Sequence, residues 1–353
     1  MLDIIIEILI LNKVIKMHCI KKGKILFLLI IFFYGCNSNP LDVDASHIKV
    51  KLNYINVDST YINSNKTDRL SYHNMYKKRI GGLYKRAYRD FISIDFSSDS
   101  AFLSSIAIYY SDPYVFKLQK EIKKMGSFNK EKKSIHKAFQ HLRYHFPNGQ
   151  TPKNIVFLTS FFAHRNPVVN QDIGVSLECY LNPKLSVIKE LPNKDFPQYY
   201  KNEMNRRYLV RDLIQQWIMH KYIKKNNGVF SEKMVYWGKV LYLTRASLPY
   251  IDPSIICRYS VDDYNWATKE EEKIWKFLVD NEILFKKNDL TDRSWFNEAP
   301  FTIGLDNKSP QRLGQYMGFK MVMSFMEKNK DLPIKNLVTI PYTQIMQEYK
   351  ISK

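Results

Sequence analysis

The segment EMNRRYLVRDLIQQWIMHKYI, residues 203–223, decides the fold class. Five of its apolar side chains recur at the three- and four-residue spacing of one helix face: Val210, Leu213, Ile214, Trp217 and Ile218. A helix with such a stripe must bury it against other elements. The segment therefore predicts a core helix in a globular domain.

The flanking sequence predicts an α+β fold, a mostly helical single domain with a small mixed β-sheet. Strands are predicted from β-rich or alternating runs at 48–57, 155–162 and 173–181. Further helices are predicted at 113–125, 130–144 and 311–326, whereas the polar residues 60–90 predict irregular structure. Two helix starts are expected, a capping box at 268–271 and an N-cap at Ser309 before Pro310.

The N-terminal sequence predicts the compartment. Residues 20–36 combine three lysines, an apolar run at 25–34 and the dipeptide Gly35-Cys36. Ten helical residues reach only about 15 Å, half of a bilayer's apolar core, which is the length of a signal peptide rather than of an anchor. The ending resembles a bacterial lipobox, so Cys36 is the predicted lipidation site. An ordinary secretory signal or a buried apolar segment remains the alternative.

These features predict three regions. Residues 1–35 would be a lipoprotein signal peptide, with Met17 as the possible true start, 36–46 a tether, and 47–353 the globular domain. The protein would then be lipid-anchored in the cell membrane or the outer membrane and face the periplasm. Which membrane holds it stays open.

Composition excludes disorder, since 45% of the 353 residues are hydrophobic and 25% are charged. The formal net charge is +20, and lysine outnumbers arginine 41 to 13. An exported protein meets no chromosomal DNA, so no nucleic-acid partner is predicted. Anionic lipid headgroups or plain solvation of the lysines account for the charge instead.

Motifs for catalysis are sparse. His141 and His145 are the only histidine pair at i, i+4, but Leu142 stands where a zinc peptidase has its glutamate base. We expect surface histidines there, and two buried thiols or one disulfide at Cys179 and Cys257. No catalytic, cofactor-binding or metal residue, and no cofactor, is predicted.

An ordered series of short motifs resembles the gliding-motility lipoprotein GldB family. The series runs through residues 42–48 (DVDASHI), 145–147 (HFP), 174–181 (GVSLECYL), 196–199 (FPQY), 238–242 (GKVLY), 259–266, 272–275 (EKIW), 299–301 (APF) and 309–318. The resemblance covers nearly the whole chain after the signal peptide. It implies a role in gliding and in the associated protein secretion, with other envelope proteins of that machinery as partners and the membrane reached through Cys36.

The resemblance also implies a distant likeness to predicted zinc-dependent peptidases, hence a zincin-type peptidase fold without the metal site. The peptidases' His-Glu-x-x-His helix would fall near 211–220, where no two histidines are four apart and no glutamate occurs. Their later glutamate would fall near 236–238, where there is no carboxylate. The expected function is therefore a non-catalytic binding scaffold. The alternatives are a zinc-dependent peptidase or hydrolase with a displaced site at His141 and His145, and an acidic-glycan binder with a lysine-rich face.

Overall fold

The computed structural model describes residues 39–224, 228–349 and 351. The chain divides into two compact units, Met1–Asp42 and Val43–Lys353. The signal peptide and the lipidation residue Cys36 lie outside the described residues. The second unit is a mostly helical domain with a small mixed sheet, as the sequence predicts, and helix accounts for 58% of the structure.

Helices make up most of the second unit. The first eight are α1 (Val57–Ile62), α2 (Lys66–Lys85), α3 (Asp99–Ser111), α4 (Pro113–Lys124), α5 (Asn129–His145), α6 (Ser186–Lys189), α7 (Gln198–Asn202) and α8 (Leu209–Lys221). The next eight are α9 (Phe230–Ser247), α10 (Pro253–Cys257), α11 (Val261–Lys269), α12 (Glu271–Asp280), α13 (Asp289–Phe296), α14 (Leu313–Lys328), α15 (Ile334–Leu337) and α16 (Tyr342–Gln347). A π-helical turn at Arg86–Phe91 and 3-10 turns at Leu177–Tyr180 and Arg206–Tyr208 complete the helical structure of the described residues. The helices predicted at 113–125, 130–144, 203–223 and 311–326 are confirmed, with shifted ends.

Four strands form the sheet in the order β1-β2-β4-β3: β1 (Asn53–Asn56), β2 (Asn154–Leu158), β3 (Val168–Val169) and β4 (Asp172–Ser176). The pairs β1-β2 and β2-β4 are parallel, and β3-β4 is antiparallel. All of β2 is buried, as a central parallel strand covered on both faces should be. The predicted strand at 173–181 is too long, because the chain turns into a 3-10 helix after Ser176.

The prediction of irregular structure for 60–90 is wrong. This segment holds all of α2 and most of the π-helical turn, and its core face combines tyrosines with a few aliphatic side chains. Their rings are buried while the hydroxyls pair with one another, as in the 2.6 Å hydrogen bond between Tyr61 and Tyr84. Tyr88 donates to the buried Asp58 carboxylate at 2.6 Å. Each polar tip is thereby satisfied inside the core.

Both predicted helix starts are also wrong. Thr268 lies inside α11, and the capping box is formed by Ser260 and Asp263 at the start of that helix. Helix α14 begins after Arg312, which makes no side-chain cap. Ser309 instead accepts a hydrogen bond from the Thr302 backbone NH.

Helices α9 and α14 pack backbone to backbone because glycines meet at their crossing. A β-carbon on Gly238 would lie 2.1 Å from the Gly318 carbonyl oxygen, and one on Gly318 would lie 1.8 Å from the Met234 carbonyl oxygen. Helix α8 packs against α9 with Trp217 fully buried, and the first turn of α8 carries two buried charged side chains. No helix among the described residues combines the length and the apolarity that a membrane crossing requires.

Candidate functional site

A cavity of about 550 Å³ opens beside α8. Its lining comes from the first two turns of α8, from Trp237 of α9, and from the segments at 163–166, 195–200 and 296–298, which include parts of α7 and α13. We call it the arginine cavity because four arginine side chains line it: Arg165, Arg211, Arg258 and Arg312. Arginine is mostly a surface residue, so four in one cavity require an explanation.

The four arginines come from different elements. Arg211 lies in the first turn of α8, Arg258 ends α10 and Arg312 precedes α14. These three residues are only 2%, 2% and 5% exposed. Arg258 and Arg312 have left-handed backbones, with φ of 59° and 60°. That conformation costs roughly 1–2 kcal/mol in each residue, so the surrounding contacts must hold both turns in place.

Three carboxylates pair with these arginines. Arg165 Nη1 lies 2.6 Å from Glu298 Oε1, and Arg211 Nη1 lies 2.9 Å from Asp212 Oδ1. Arg258 is shared among Glu203, Glu298 and Asp212, at 3.2, 3.2 and 3.3 Å. Arg312 Nη2 lies 2.8 Å from Glu203 Oε2. The result is a continuous, largely buried ion network, which is far less screened by water than separate surface pairs.

The pKa shifts reflect the close packing of guanidiniums and carboxylates in this network. Burial works to raise the pKa of Glu298, but Arg165, Arg312 and Arg258 outweigh it and lower that pKa to about 2. Burial lowers the pKa of Arg211, and Arg258 and Arg312 lower it further, against the opposite effect of Asp212. The guanidiniums therefore dominate the surroundings of Glu298, whereas, against the effect of burial, nearby carboxylates raise the pKa of Arg165 and of Arg312.

The loop that carries His164 and Arg165 is shaped by a buried carboxylate. Glu178 Oε1 accepts hydrogen bonds from the backbone NH groups of Ser160 at 2.8 Å and Phe162 at 3.0 Å. These bonds hold Phe161 and Phe162 in the left-handed region, with φ of 53° and 65°. Burial raises the pKa of Glu178 to about 7. Glu178 is therefore a positioning residue for the cavity wall.

The histidines singled out by sequence lie elsewhere, on α5. His141 is buried, at 7% exposure, and His145 is partly buried, so the expectation of surface histidines is wrong. Burial, followed by the neighbouring His141, lowers the pKa of His145 to about 4. Within the part of the chain that the structure describes, no group of three or more His, Cys, Asp or Glu side chains is placed to hold a metal ion.

The two described cysteines, Cys179 and Cys257, are buried free thiols rather than a disulfide. Burial raises the pKa of Cys257 to about 12 and raises that of Cys179 well above its usual value. Neither thiol is activated as a nucleophile, because the thiolate is the reactive form.

The two segments that the peptidase resemblance aligned with metal-binding residues meet at the arginine cavity. Arg211, Asp212, Gln215 and Gln216 of the first segment and Trp237 of the second all line it. A guanidinium is always protonated and offers no lone pair to a metal. Asp212 and Glu298 do offer lone pairs, but arginines already engage both.

Sequence patterns did not identify the other cavity residues. Arg165, Arg258 and Arg312 are far apart along the chain, and each alone is typical of a surface position. Only Glu178, which positions the cavity wall, has a recognisable sequence signal. It is the single acidic residue within the apolar run 173–181. A lone carboxylate in a buried run requires hydrogen-bond donors, and that requirement predicts a special backbone conformation nearby.

Comparison with known proteins supports one assignment. No curated protein and no solved structure matches the chain. The family model described as gliding motility protein GldB matches residues 38–351, which include the whole arginine cavity and nearly all of the second unit. The resemblance carried by the short motifs is thus confirmed, and the chain belongs to the GldB family of gliding motility proteins.

Proposed function

We propose that this protein is anchored to the cell envelope by a lipid on Cys36, faces the periplasm, and supports gliding and the associated protein secretion by binding other envelope proteins. Membership of the GldB family supports the role in gliding. The lysines, apolar run and Gly35-Cys36 pair support the anchor in the cell membrane or the outer membrane. The predicted tether is 36–46, but residues 43–46 already belong to the second unit, so after removal of 1–35 residues 36–42 would let that unit reach at most about 25 Å from the bilayer surface.

We further propose that the protein is not a hydrolase. The observation that carries this proposal is the charge of the arginine cavity. In this cavity, Arg211 and Asp212 occupy the segment in which the peptidase-like helix would present its histidines. Arg258 and Arg312 lie beside them. Positive charge in excess opposes a bound Zn²⁺, and the nearby carboxylates are engaged in ion pairs. A zincin-type ancestry would thus survive in the helical framework without its metal chemistry.

A labelling and complementation experiment tests the anchor and the role together. A motile host lacking the gene is complemented with the wild type, with Cys36→Ala, or with the matched control Cys19→Ala. The lipid attachment requires the Cys36 thiol, so Cys36→Ala should lose radiolabelled palmitate, leave the membrane fraction and fail to restore spreading and secretion. Cys19→Ala should behave as the wild type.

Two outcomes would reject parts of the proposal separately. Palmitate retained on the Cys36→Ala protein would reject the anchor. Normal spreading and secretion in the deletion host itself would reject the supporting role.

A further inference from the structure

The buried charges of the arginine cavity do not balance. The network contains four guanidiniums, those of Arg165, Arg211, Arg258 and Arg312, and three carboxylates, those of Glu203, Asp212 and Glu298. Asp195 also lines the cavity, but it is exposed, where water and salt screen its charge. One buried positive charge is therefore left without a buried counter-charge.

Each of these arginines also has a buried nitrogen without a hydrogen-bond partner among the described residues. Arg211 Nη2 and Arg312 Nε are buried and have no hydrogen-bond partner among the described residues. Both residues line the cavity, and both are at least nine-tenths buried. A buried charged donor without an acceptor is unfavourable, so the folded protein gains stability from a group that accepts these bonds.

The size and the walls of the cavity limit the kind of molecule that can carry this hydrogen-bond acceptor. About 550 Å³ falls within the range of small-ligand sites and far exceeds the space of a bare ion. Tyr199, Tyr200 and Trp237 are partly exposed and provide aromatic walls. A flat protein surface would not reach nitrogens on residues that are only 2% and 5% exposed, whereas a single inserted group would.

We propose that the arginine cavity binds an oxyanion, the carboxylate or phosphate group of a small ligand, and that Arg211 and Arg312 hold it. A carboxylate or a phosphate presents two or more oxygens that accept N–H bonds from a guanidinium at once, and either group supplies the missing negative charge. The ligand's remaining atoms fill the cavity against the aromatic walls. This binding does not depend on the lipid anchor or on the role in gliding.

Calorimetric titration of the purified full-length protein at low ionic strength tests the site. The probes are succinate, inorganic phosphate and dimethyl succinate, an uncharged ester that matches succinate in its carbon chain. The variants are Arg211→Met and Arg312→Met. Arg206→Met is the matched control, because Arg206 also forms an ion pair, with Glu131 at 2.6 Å, but lies outside the cavity lining.

The wild type should bind succinate or phosphate saturably, and the preferred probe identifies the acid group as carboxylate or phosphate. Arg211→Met and Arg312→Met should each weaken that binding at least about tenfold, since each removes a charge-assisted hydrogen bond. Arg206→Met should change it less than about twofold, and dimethyl succinate should not bind.

Three results would overturn the proposal: no saturable binding of either anion below about 10 mM, equal binding by both cavity variants, or ester binding as tight as succinate binding. If both cavity variants misfold, the thermal unfolding of the wild type with each probe tests the proposed oxyanion site instead. A higher midpoint with succinate or phosphate than with dimethyl succinate supports the site, and equal midpoints reject it.

Discussion

Replacing Glu178 with glutamine tests how the buried carboxylate shapes the cavity wall. The amide oxygen of the new side chain would still accept the Ser160 and Phe162 backbone NH groups, so the loop should keep its conformation. The substitution instead removes a titrating group, because glutamine does not ionise. The folded-state pKa of Glu178 is about 7, against an ordinary value of 4.5. A carboxyl with a raised folded-state pKa binds its proton more tightly in the folded protein than in the unfolded chain. Its stabilising contribution is therefore complete below about pH 4.5 and is lost as the pH rises through about 7.

The size of this effect follows from the shift. A shift of about 2.5 pKa units corresponds to roughly 3 kcal/mol, most of which falls between about pH 5 and about pH 8. The free energy of unfolding of E178Q minus that of the wild type should thus rise by about 2–3 kcal/mol across this range. Buried histidines such as His73 and His145, whose pKa burial lowers to about 4, act in the opposite direction, but equally in both proteins.

Urea unfolding at several pH values, followed by circular dichroism, measures that difference. Glu190→Gln is the matched control, because Glu190 is a surface carboxylate paired with the exposed Lys117 at 2.6 Å. Surface pairs contribute about 0–1 kcal/mol, so its curve should stay nearly parallel to that of the wild type. A pH-independent difference for E178Q, or one that falls with rising pH, would refute the reasoning.

The remaining predictions concern packing and thiol chemistry. Gly238→Ala should lower the free energy of unfolding by at least about 2 kcal/mol, because the new β-carbon would meet the Gly318 carbonyl oxygen at 2.1 Å. At Gly81 no atom outside the adjacent helix backbone lies within 4 Å of the new β-carbon, so Gly81→Ala should instead raise the free energy of unfolding by about 0.5–1 kcal/mol in the same urea titration. Equal midpoints for the two variants would contradict this expectation. Mass-mapped alkylation at about pH 8 should leave Cys179 and Cys257 unmodified in the folded protein and modify both in urea. Rapid modification of either thiol in the folded state would show that burial does not suppress its reactivity.

The sequence predicted the helices whose buried face is aliphatic. Helix α8 shows this best, because Leu213, Ile214 and Trp217 are all buried along one stripe. Helix α2 was missed because its core side chains include tyrosines, Tyr76 and Tyr84 among them, which are counted as polar in a sequence pattern. Their burial depends on hydroxyl partners that only the folded chain brings together.

The arginine cavity lay beyond what the sequence could predict. Arg165, Arg211, Arg258 and Arg312 come from four separate segments, and only the packing of α8, α10 and α14 brings them into one network. The left-handed backbones of Arg258 and Arg312 have no sequence signature either, since glycine or asparagine is the usual residue there. The family resemblance did better, because it pointed to the segments at 211–220 and 236–238, which meet at this cavity.

The zinc content of the purified protein tests our proposal that the arginine cavity is a cationic binding site and that the protein has no displaced zinc site. The full-length protein is incubated with excess zinc, desalted and analysed for metal, alongside His141→Ala. We expect far less than one zinc per chain in both proteins. About one zinc per chain in the wild type, lost in His141→Ala, would establish the displaced zinc site and reject the proposal that the protein is not a hydrolase.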